Sequence, residues 1–160
     1  MSLPDRATRR FHEIEQQLPG LLDRLLSCDP SRAGKPTIPK AAGVYLFTER
    51  GEHLYVGRTR NFSQRYGMHT WPSSGHLAAS FAFNIAKREA QRSSVVVTGT
   101  RAEISAAEPV AALFAEARNR VRAMDYRVVQ IEDAALSTVF EVYAAIALNT
   151  EGNFNQFETT

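Results

Sequence analysis

The 160-residue chain lacks several features that would assign it to a protein class at once. It has a single cysteine, Cys28, which excludes a disulfide framework and any four-cysteine zinc site. No apolar run approaches the roughly 18 residues that a bilayer-spanning helix needs, and the first residues lack the apolar core of a signal peptide. We therefore expect a cytoplasmic protein that does not bind a membrane.

Metal-binding histidine patterns, internal repeats and low-complexity tracts are also missing. His12, His53 and His76 are scattered without metal-ligand spacing, and we interpret them as structural. Hydrophobic residues make up 44% and charged residues 22% of the sequence, close to globular averages, which argues against disordered and fibrous classes. The length is that of one domain with a sizeable core.

The net charge of +2 conceals an uneven distribution of charge. Residues 1–49 carry a net charge of +1, residues 50–92 carry +5, and residues 93–160 carry −4. A local excess of positive charge attracts polyanions whatever the total charge of the protein. A solvated basic face is the simpler interpretation, and charge alone favours it over a nucleic-acid site.

Residues 43–57, GVYLFTERGEHLYVG, form the clearest local pattern. Two runs of alternating apolar and aromatic residues flank a charged turn that contains Gly51, which predicts a β-hairpin. Because successive strand side chains point to opposite faces, the loop length decides where the tyrosines lie. A two-residue loop would separate Tyr45 and Tyr55, whereas a three-residue loop would pair Phe47 with Tyr55 and place both tyrosines on one face.

The segment before the hairpin reads as an addition to the main domain. Residues 5–27 show helical spacing interrupted at Pro19-Gly20, which predicts two short amphipathic helices or one broken helix. Residues 28–42 contain three prolines and a glycine, which is typical of an extended linker. We therefore divide the single globular unit into an N-terminal helical extension over residues 1–35 and a main domain over residues 36–160.

Helices and strands alternate after the hairpin. Asn61 or Ser63 is suited to cap a helix that carries Arg65. Hydrophobic spacing and β-branched runs then predict a helix over residues 76–89, a strand over 94–100, a helix from Pro109 through Val121, a strand over 126–131 and a helix over 136–150.

Glu141 is the most informative single residue. It is the only charged residue between Ala134 and Asn149, in a helix that is apolar over most of its circumference. A carboxylate in such surroundings is costly unless it is paired with a cation or a metal. The alternative is a position at the helix edge with the carboxylate in water, and the helix alone favours neither.

The tyrosines and the basic residues that follow them are candidates for phosphate chemistry. A tyrosine is a poor base in water, and it accepts a proton from an attacking water only where cations such as Arg58 or Arg65 favour its phenolate. Taken singly, Tyr45 and Tyr55 are more typical of strand residues that pack a face, and Arg65 of a surface residue. His69 follows Arg65 by four residues, so one helical face would carry both.

In order along the chain, Gly43-Val44-Tyr45, Tyr55-Val56-Gly57, Arg65, Glu141 and a terminal asparagine resemble the motifs of the GIY-YIG nuclease superfamily. The resemblance covers residues 43 to about 157, with valine at the middle of each tripeptide. It implies an α/β (α+β) domain with a three-stranded antiparallel sheet flanked by helices, here with extra N-terminal helices. The hairpin would supply two strands and residues 126–131 the third.

The resemblance also implies roles for the site residues. Tyr45 would be the general base or water-orienting group, Tyr55 would lie at the phosphate, and Glu141 would bind one Mg²⁺ or Mn²⁺ ion. The terminal asparagine would be Asn155, with Asn153 as the alternative. The complete set comprises Tyr45, Tyr55, Arg65, His69 and Glu141 as catalytic residues and Gly57, Arg58, Arg60 and Asn155 as substrate contacts.

The activity implied by the resemblance is metal-dependent hydrolysis of phosphodiester bonds in nucleic acid, with DNA as the first candidate. A homodimer or a targeting partner would supply specificity, because the chain has no large additional domain. A non-catalytic nucleic-acid-binding module on the same fold is the alternative. It would bind with steep salt dependence and show no turnover.

Overall fold

The computed structural model describes residues 1–155 and 157. Within them the chain forms a mixed α/β structure in which helices flank one three-stranded antiparallel sheet, as predicted. No helix in the described residues has both the length and the apolar content to cross a membrane. The elements are α1 (Leu3–Glu15), α2 (Leu18–Ser27), β1 (Gly43–Glu49), β2 (Glu52–Thr59), α3 (Phe62–Thr70), α4 (Ser80–Arg92), α5 (Arg101–Ala106), α6 (Val110–Ala123), β3 (Asp125–Gln130) and α7 (Ala134–Ala147).

The sheet has the order β2-β1-β3, so β1 is central and buried on both faces. One face, with Tyr45 and Phe47, packs against α3, α4 and α6. The other face, with Val44 and Leu46, packs against α1, α2 and α7. The N-terminal helices therefore share a hydrophobic core with the sheet, and they bury Ile14, Leu18, Leu21 and Leu25 in it.

The hairpin has the predicted pairing of Phe47 with Tyr55, but its loop is not the three-residue loop from which that pairing was predicted. Its loop has two residues, Arg50 and Gly51, both with positive φ, as hairpin turns of this length require. The register then shifts: Thr48 pairs with His53, but Phe47 pairs with Tyr55. The extra residue on β2 forms a β-bulge that reverses the alternation. The expectation that a two-residue loop would separate Tyr45 and Tyr55 is therefore wrong, and both lie on one face.

Residues 94–100 do not form the predicted strand. They lie in an irregular connection between α4 and α5, with Val95 and Val97 half-buried against the core. The two edge strands of the sheet have other partners: Ser31 forms a β-bridge to β3, and the side chain of Asn155 is hydrogen-bonded to β2. Burial of alternate valines thus produced a strand-like pattern without a strand partner.

Several predicted helix boundaries also differ: α4 begins at Ser80 and not at residue 76, and α7 ends at Ala147 and not at residue 150. The break between the N-terminal helices falls at Gln16-Gln17, and Pro19 and Gly20 lie in the first turn of α2, where proline is tolerated. Pro109 is the N-cap of α6, which begins at Val110 and not at the proline.

Candidate active site

The hydroxyl of Tyr45 is the centre of the site. It accepts a hydrogen bond from Arg65 Nε at 3.2 Å and lies 2.9 Å from His69 Nε2. Tyr45 is 1% exposed and His69 is fully buried, whereas Arg65 is half-buried. The structure thus brings three of the predicted catalytic residues into one hydrogen-bonded group.

Both hydrogen-bond partners of Tyr45, Arg65 and His69, lie on helix α3. The side chain of Asn61 caps the helix by accepting a hydrogen bond from the backbone N–H of Gln64 at 3.1 Å, which confirms one of the two predicted caps. Residues four apart lie on one helical face, so Arg65 and His69 both point toward the sheet. Arg65 Nη1 also donates to the carbonyl of Ala78 at 3.3 Å, which fixes the guanidinium beside the phenol.

Gly57 makes room for the Tyr45 hydroxyl. The two residues are paired across β1 and β2, and the phenol lies over the glycine. A Cβ atom at position 57 would overlap the hydroxyl and would lie 2.9 Å from Cε1 of the ring. The glycine of the second motif is therefore required by the close approach of the first-motif tyrosine, and any contact with substrate is additional.

Gly57→Ala should lower the free energy of unfolding by about 1–3 kcal/mol, since the buried ring of Tyr45 must move. Gly20→Ala is the matched control, because no heavy atom lies within 4 Å of the added methyl. Alanine also suits a helix better than glycine, so this variant should be unchanged or slightly more stable. Urea denaturation measures both, and equal shifts in the two variants would refute the steric explanation.

Tyr55 forms the outer side of the aromatic group. Its ring centroid lies 6.2 Å from that of Tyr45, and the ring stacks on Phe81 of α4 at 4.8 Å. No sequence signal distinguishes Phe81 from the other apolar residues of its helix. It supports the half-buried Tyr55 from the side opposite the sheet.

The environment keeps the phenols and the imidazole neutral. Burial raises the pKa of Tyr45 far above its usual value, and the charge of Tyr55 adds to this, while Arg65 opposes it. Burial likewise raises the pKa of Tyr55. Burial, with Arg65 as the second cause, lowers the pKa of His69 to about 3. Arg65 thus favours a Tyr45 phenolate, but burial outweighs it, and the phenol keeps its proton at neutral pH.

The neutral imidazole changes how the pair can act. Because Arg65 donates to the Tyr45 oxygen, the phenol proton is free to be donated to Nε2 of neutral His69. Nδ1 of His69 is buried and has no hydrogen-bond partner among the described residues. Tyr45 can thus take a proton from water only as it passes its own to His69.

The low pKa of His69 should appear in the pH dependence of stability. Its pKa is 6.5 in the unfolded chain and about 3 in the fold, so between these values only the unfolded state binds the proton. The free energy of unfolding therefore rises as pH rises from about 3 to 6.5, and it falls as pH falls through the same range. The slope of the free energy of unfolding against pH should be lower for His69→Gln than for the parent by about 1.4 kcal/mol per pH unit.

Chemical denaturation between pH 4 and 6 measures this slope in the parent and the variant. His12→Gln is the control, because it makes the same substitution at an exposed histidine on α1. Parallel pH profiles for the parent and His69→Gln would show that His69 is protonated in the folded protein.

Glu141 lies on the face of the sheet opposite Tyr45. Helix α7 packs on β2, and Arg58 of β2 donates from Nε to Glu141 Oε2 at 3.0 Å. The Glu141 side chain is 21% exposed and that of Arg58 is 50% exposed. Of the two interpretations of the lone carboxylate, pairing with a cation is confirmed. Burial raises the pKa of Glu141, and Arg58 opposes the shift.

The charge of Glu141 acts on the phenols: it raises the pKa of Tyr45 and of Tyr55. The described residues hold no group of three or more His, Cys, Asp or Glu that could bind a metal. A single carboxylate suits Mg²⁺, which keeps several waters and uses phosphate oxygens, and a partly desolvated carboxylate gains from a nearby cation. Arg58 already occupies Oε2 of Glu141, so Oε1 is the carboxylate oxygen left for such an ion.

Arg58 and Arg60 line a cleft of about 410 Å³ between the ends of β1 and β2 and the start of α7. Its other lining residues include Thr59, Glu132 and Ser137. Arg60 is exposed and is not bonded to the Tyr45 group. The cleft thus adds a basic surface next to the Arg58–Glu141 pair.

Asn155 and Asn153 bind different elements. The Asn155 amide donates to the carbonyl of Val56 at 2.7 Å and accepts from its N–H at 2.8 Å, so it covers the free edge of β2. Asn153 donates to Glu52 at 3.2 Å and accepts from Arg88 at 2.9 Å. The predicted substrate contact at Asn155 is therefore a buried side chain bonded at both ends to the strand.

The structure brings Tyr45, Tyr55, Gly57, Arg65 and His69 together around the phenol, and it places Arg58 and Glu141 as a separate ion pair on the other face of the sheet. Arg60 lies in the adjacent cleft, and Asn155 lies at the strand edge. Comparisons with protein-family models, with curated proteins and with solved structures found no match to this chain.

Proposed function

We propose that this protein is a metal-dependent endonuclease of the GIY-YIG type that hydrolyses phosphodiester bonds in nucleic acid, with DNA as the first substrate. The observation that carries the proposal is the Tyr45 hydroxyl, held between Arg65 and His69 over Gly57. An ordinary packed tyrosine needs neither a glycine beneath its hydroxyl nor two basic side chains on it. The ordered motifs of the sequence give the same assignment.

In the proposed reaction Tyr45 removes a proton from the attacking water. The water proton goes to the phenol oxygen as the phenol proton goes to Nε2 of His69, and the hydroxide adds to phosphorus. The bond from phosphorus to the leaving oxygen breaks, and that oxygen takes a proton from solvent. The imidazolium that forms at His69 is disfavoured by burial, so it releases its proton to water that re-enters the site.

Arg65 has donors beyond the one bonded to Tyr45 and is suited to stabilise the negative charge that develops on the phosphoryl oxygens. Glu141 is the residue that would hold one Mg²⁺ or Mn²⁺ ion, which when bound supplies Lewis-acid stabilisation of phosphate charge. Arg58 and Arg60 in the adjacent cleft provide positive charge for the nucleic-acid backbone.

Incubation of the purified chain with supercoiled plasmid tests the proposal. With Mg²⁺ or Mn²⁺ the plasmid should be nicked and then linearised, and EDTA should prevent it. Nicking that persists in EDTA would contradict a metal-dependent mechanism. Plasmid binding with steep salt dependence but no nicking on any DNA or RNA substrate would favour the alternative, a non-catalytic nucleic-acid-binding module.

A further inference from the structure

A second basic site lies on the exposed side of α4. It is a pocket of about 270 Å³ that contains two cations, two amides and one aromatic ring, and no carboxylate of the described residues lines it. The lining residues are Asn84, Lys87, Arg88, Gln91 and Phe154. The set resembles the groups that proteins direct at phosphate oxygens, namely Arg, Lys and side-chain amides.

Arg88 is held in place in this α4 pocket. Its guanidinium lies over the ring of Phe154, 3.8 Å from the centroid, and it donates from Nη1 to Asn153 Oδ1 at 2.9 Å and from Nη2 to the Asn153 carbonyl. A guanidinium has five N–H donors, so three remain for a ligand. An arginine fixed in this way loses little side-chain entropy when it binds an anion.

Among the described residues, no carboxylate forms an ion pair with either cation of the α4 pocket. Lys87 has no ion-pair partner among the described residues. The acidic residue of this helix, Glu89, is instead bonded to Arg92 and lies 3.9 Å from Arg120. Burial and the neighbouring charge of Arg92 lower the pKa of Arg88, as expected where positive charge is concentrated.

A continuous row of aromatic rings connects the pocket with the candidate active site. Phe154 contacts Phe81 at 5.3 Å, Phe81 stacks on Tyr55 at 4.8 Å, and Tyr55 lies 6.2 Å from Tyr45. Successive phosphates along one strand of a duplex are separated by roughly 3.4 Å along the helix axis. The pocket therefore lies within a few nucleotides of a phosphate placed at Tyr45.

We propose that the α4 pocket binds a backbone phosphate of the nucleic acid, a few nucleotides from the phosphate that is cleaved. Lys87 and Arg88 supply the charge, and the amides of Asn84 and Gln91 donate hydrogen bonds. This inference rests on the proposed nuclease function for its ligand, but the concave basic site stands on its own geometry. It extends the substrate contacts to helix α4.

Binding of a fluorescein-labelled 20-base-pair DNA duplex, measured by anisotropy in EDTA so that no cleavage occurs, tests this site. Lys87→Gln should weaken binding about fivefold at low salt, the loss of one charge-assisted contact. The slope of log Kd against log salt concentration should fall by about 0.9, the change for one phosphate contact. Lys35→Gln, at an exposed lysine outside the pocket, is the matched control and should change neither quantity.

The outcomes separate the pocket from the nuclease. If the parent protein nicks plasmid and Lys87→Gln keeps the parental salt slope and affinity, the α4 pocket is not a phosphate site, while the proposed function stands. If the parent never nicks but Lys87→Gln lowers the salt slope, the pocket stands and the nuclease proposal falls. No binding of DNA by the parent at any salt concentration would overturn the pocket proposal. Thermal unfolding of both lysine variants controls for the fold, and Lys87→Glu should weaken binding further.

Discussion

Glu141→Gln is expected to reduce plasmid nicking by at least about 10³-fold, a change of about 4 kcal/mol in the activation free energy. The amide keeps the size of the side chain and can still accept the hydrogen bond from Arg58, but it no longer offers a charged oxygen to a divalent cation. Rates of nicking are measured over a range of Mg²⁺ concentrations. Because the carboxylate is the only expected protein ligand, higher Mg²⁺ should not restore the rate.

The same variant should not be less stable than the parent. Burial raises the pKa of Glu141, so the ionised carboxylate at neutral pH is disfavoured by the fold, and an uncharged amide relieves that cost. Thermal unfolding at pH 7 should therefore give an equal or higher Tm, as is common when a functional charge is removed.

Glu116→Gln is the matched control, since Glu116 is exposed on α6 and should affect neither rate nor Tm. If Glu141→Gln nicks plasmid at the parental rate, Glu141 does not bind a metal that the reaction needs. A large drop in its Tm would instead mean that the Arg58–Glu141 pair is there to hold α7 on the sheet.

The hairpin shows what local pattern can and cannot predict. Alternation of apolar residues and the glycine-containing turn correctly predicted two antiparallel strands. The bulge on β2 depends on how the two hydrogen-bond ladders match, and no residue in the turn signals it. Tyr45 and Tyr55 therefore share a face, as the three-residue loop predicted, although the loop itself has two residues.

The contacts of Arg65 and His69 with Tyr45 could be predicted from the sequence in part. The four-residue spacing of Arg65 and His69 places them on one helical face, and the structure has both on the phenol. Their protonation was not predictable, because burial controls it. Burial depends on Phe47 and Phe81, which come from other elements and pack against the imidazole ring of His69. The sequence suggested a tyrosine activated by arginine, and the fold favours one that exchanges protons with a neutral histidine.

The C-terminal segment was the hardest part to predict. Asn155 and Asn153 differ by two positions, and only the packing of Phe154 on Phe81 fixes which of them faces the β2 edge. The amide of Asn155 then satisfies backbone groups that the sheet would leave unpaired. Edge coverage by a side chain from nearly 100 residues away has no local signature.

Tyr45→Phe should lower the single-turnover cleavage rate by about 10²- to 10⁴-fold, the range expected for loss of a general base. The ring stays in the core and only the hydroxyl is lost, so neither Arg65 nor His69 has a phenol oxygen to bind. Tyr66→Phe is the matched control. It removes another hydroxyl from the same face, one that donates to the carbonyl of Arg122 at 2.9 Å, and should leave the rate near the parental value.

His69→Gln should produce a loss similar to that of Tyr45→Phe if the phenol proton moves to the imidazole. The double variant should then be no slower than the worse single variant, because both substitutions interrupt one proton transfer. Single-turnover rates at saturating protein and Mg²⁺ give this double-mutant cycle directly. If the two losses multiply in the double variant, Tyr45 and His69 act independently, and Tyr45 would have to orient the attacking water without passing its proton to His69.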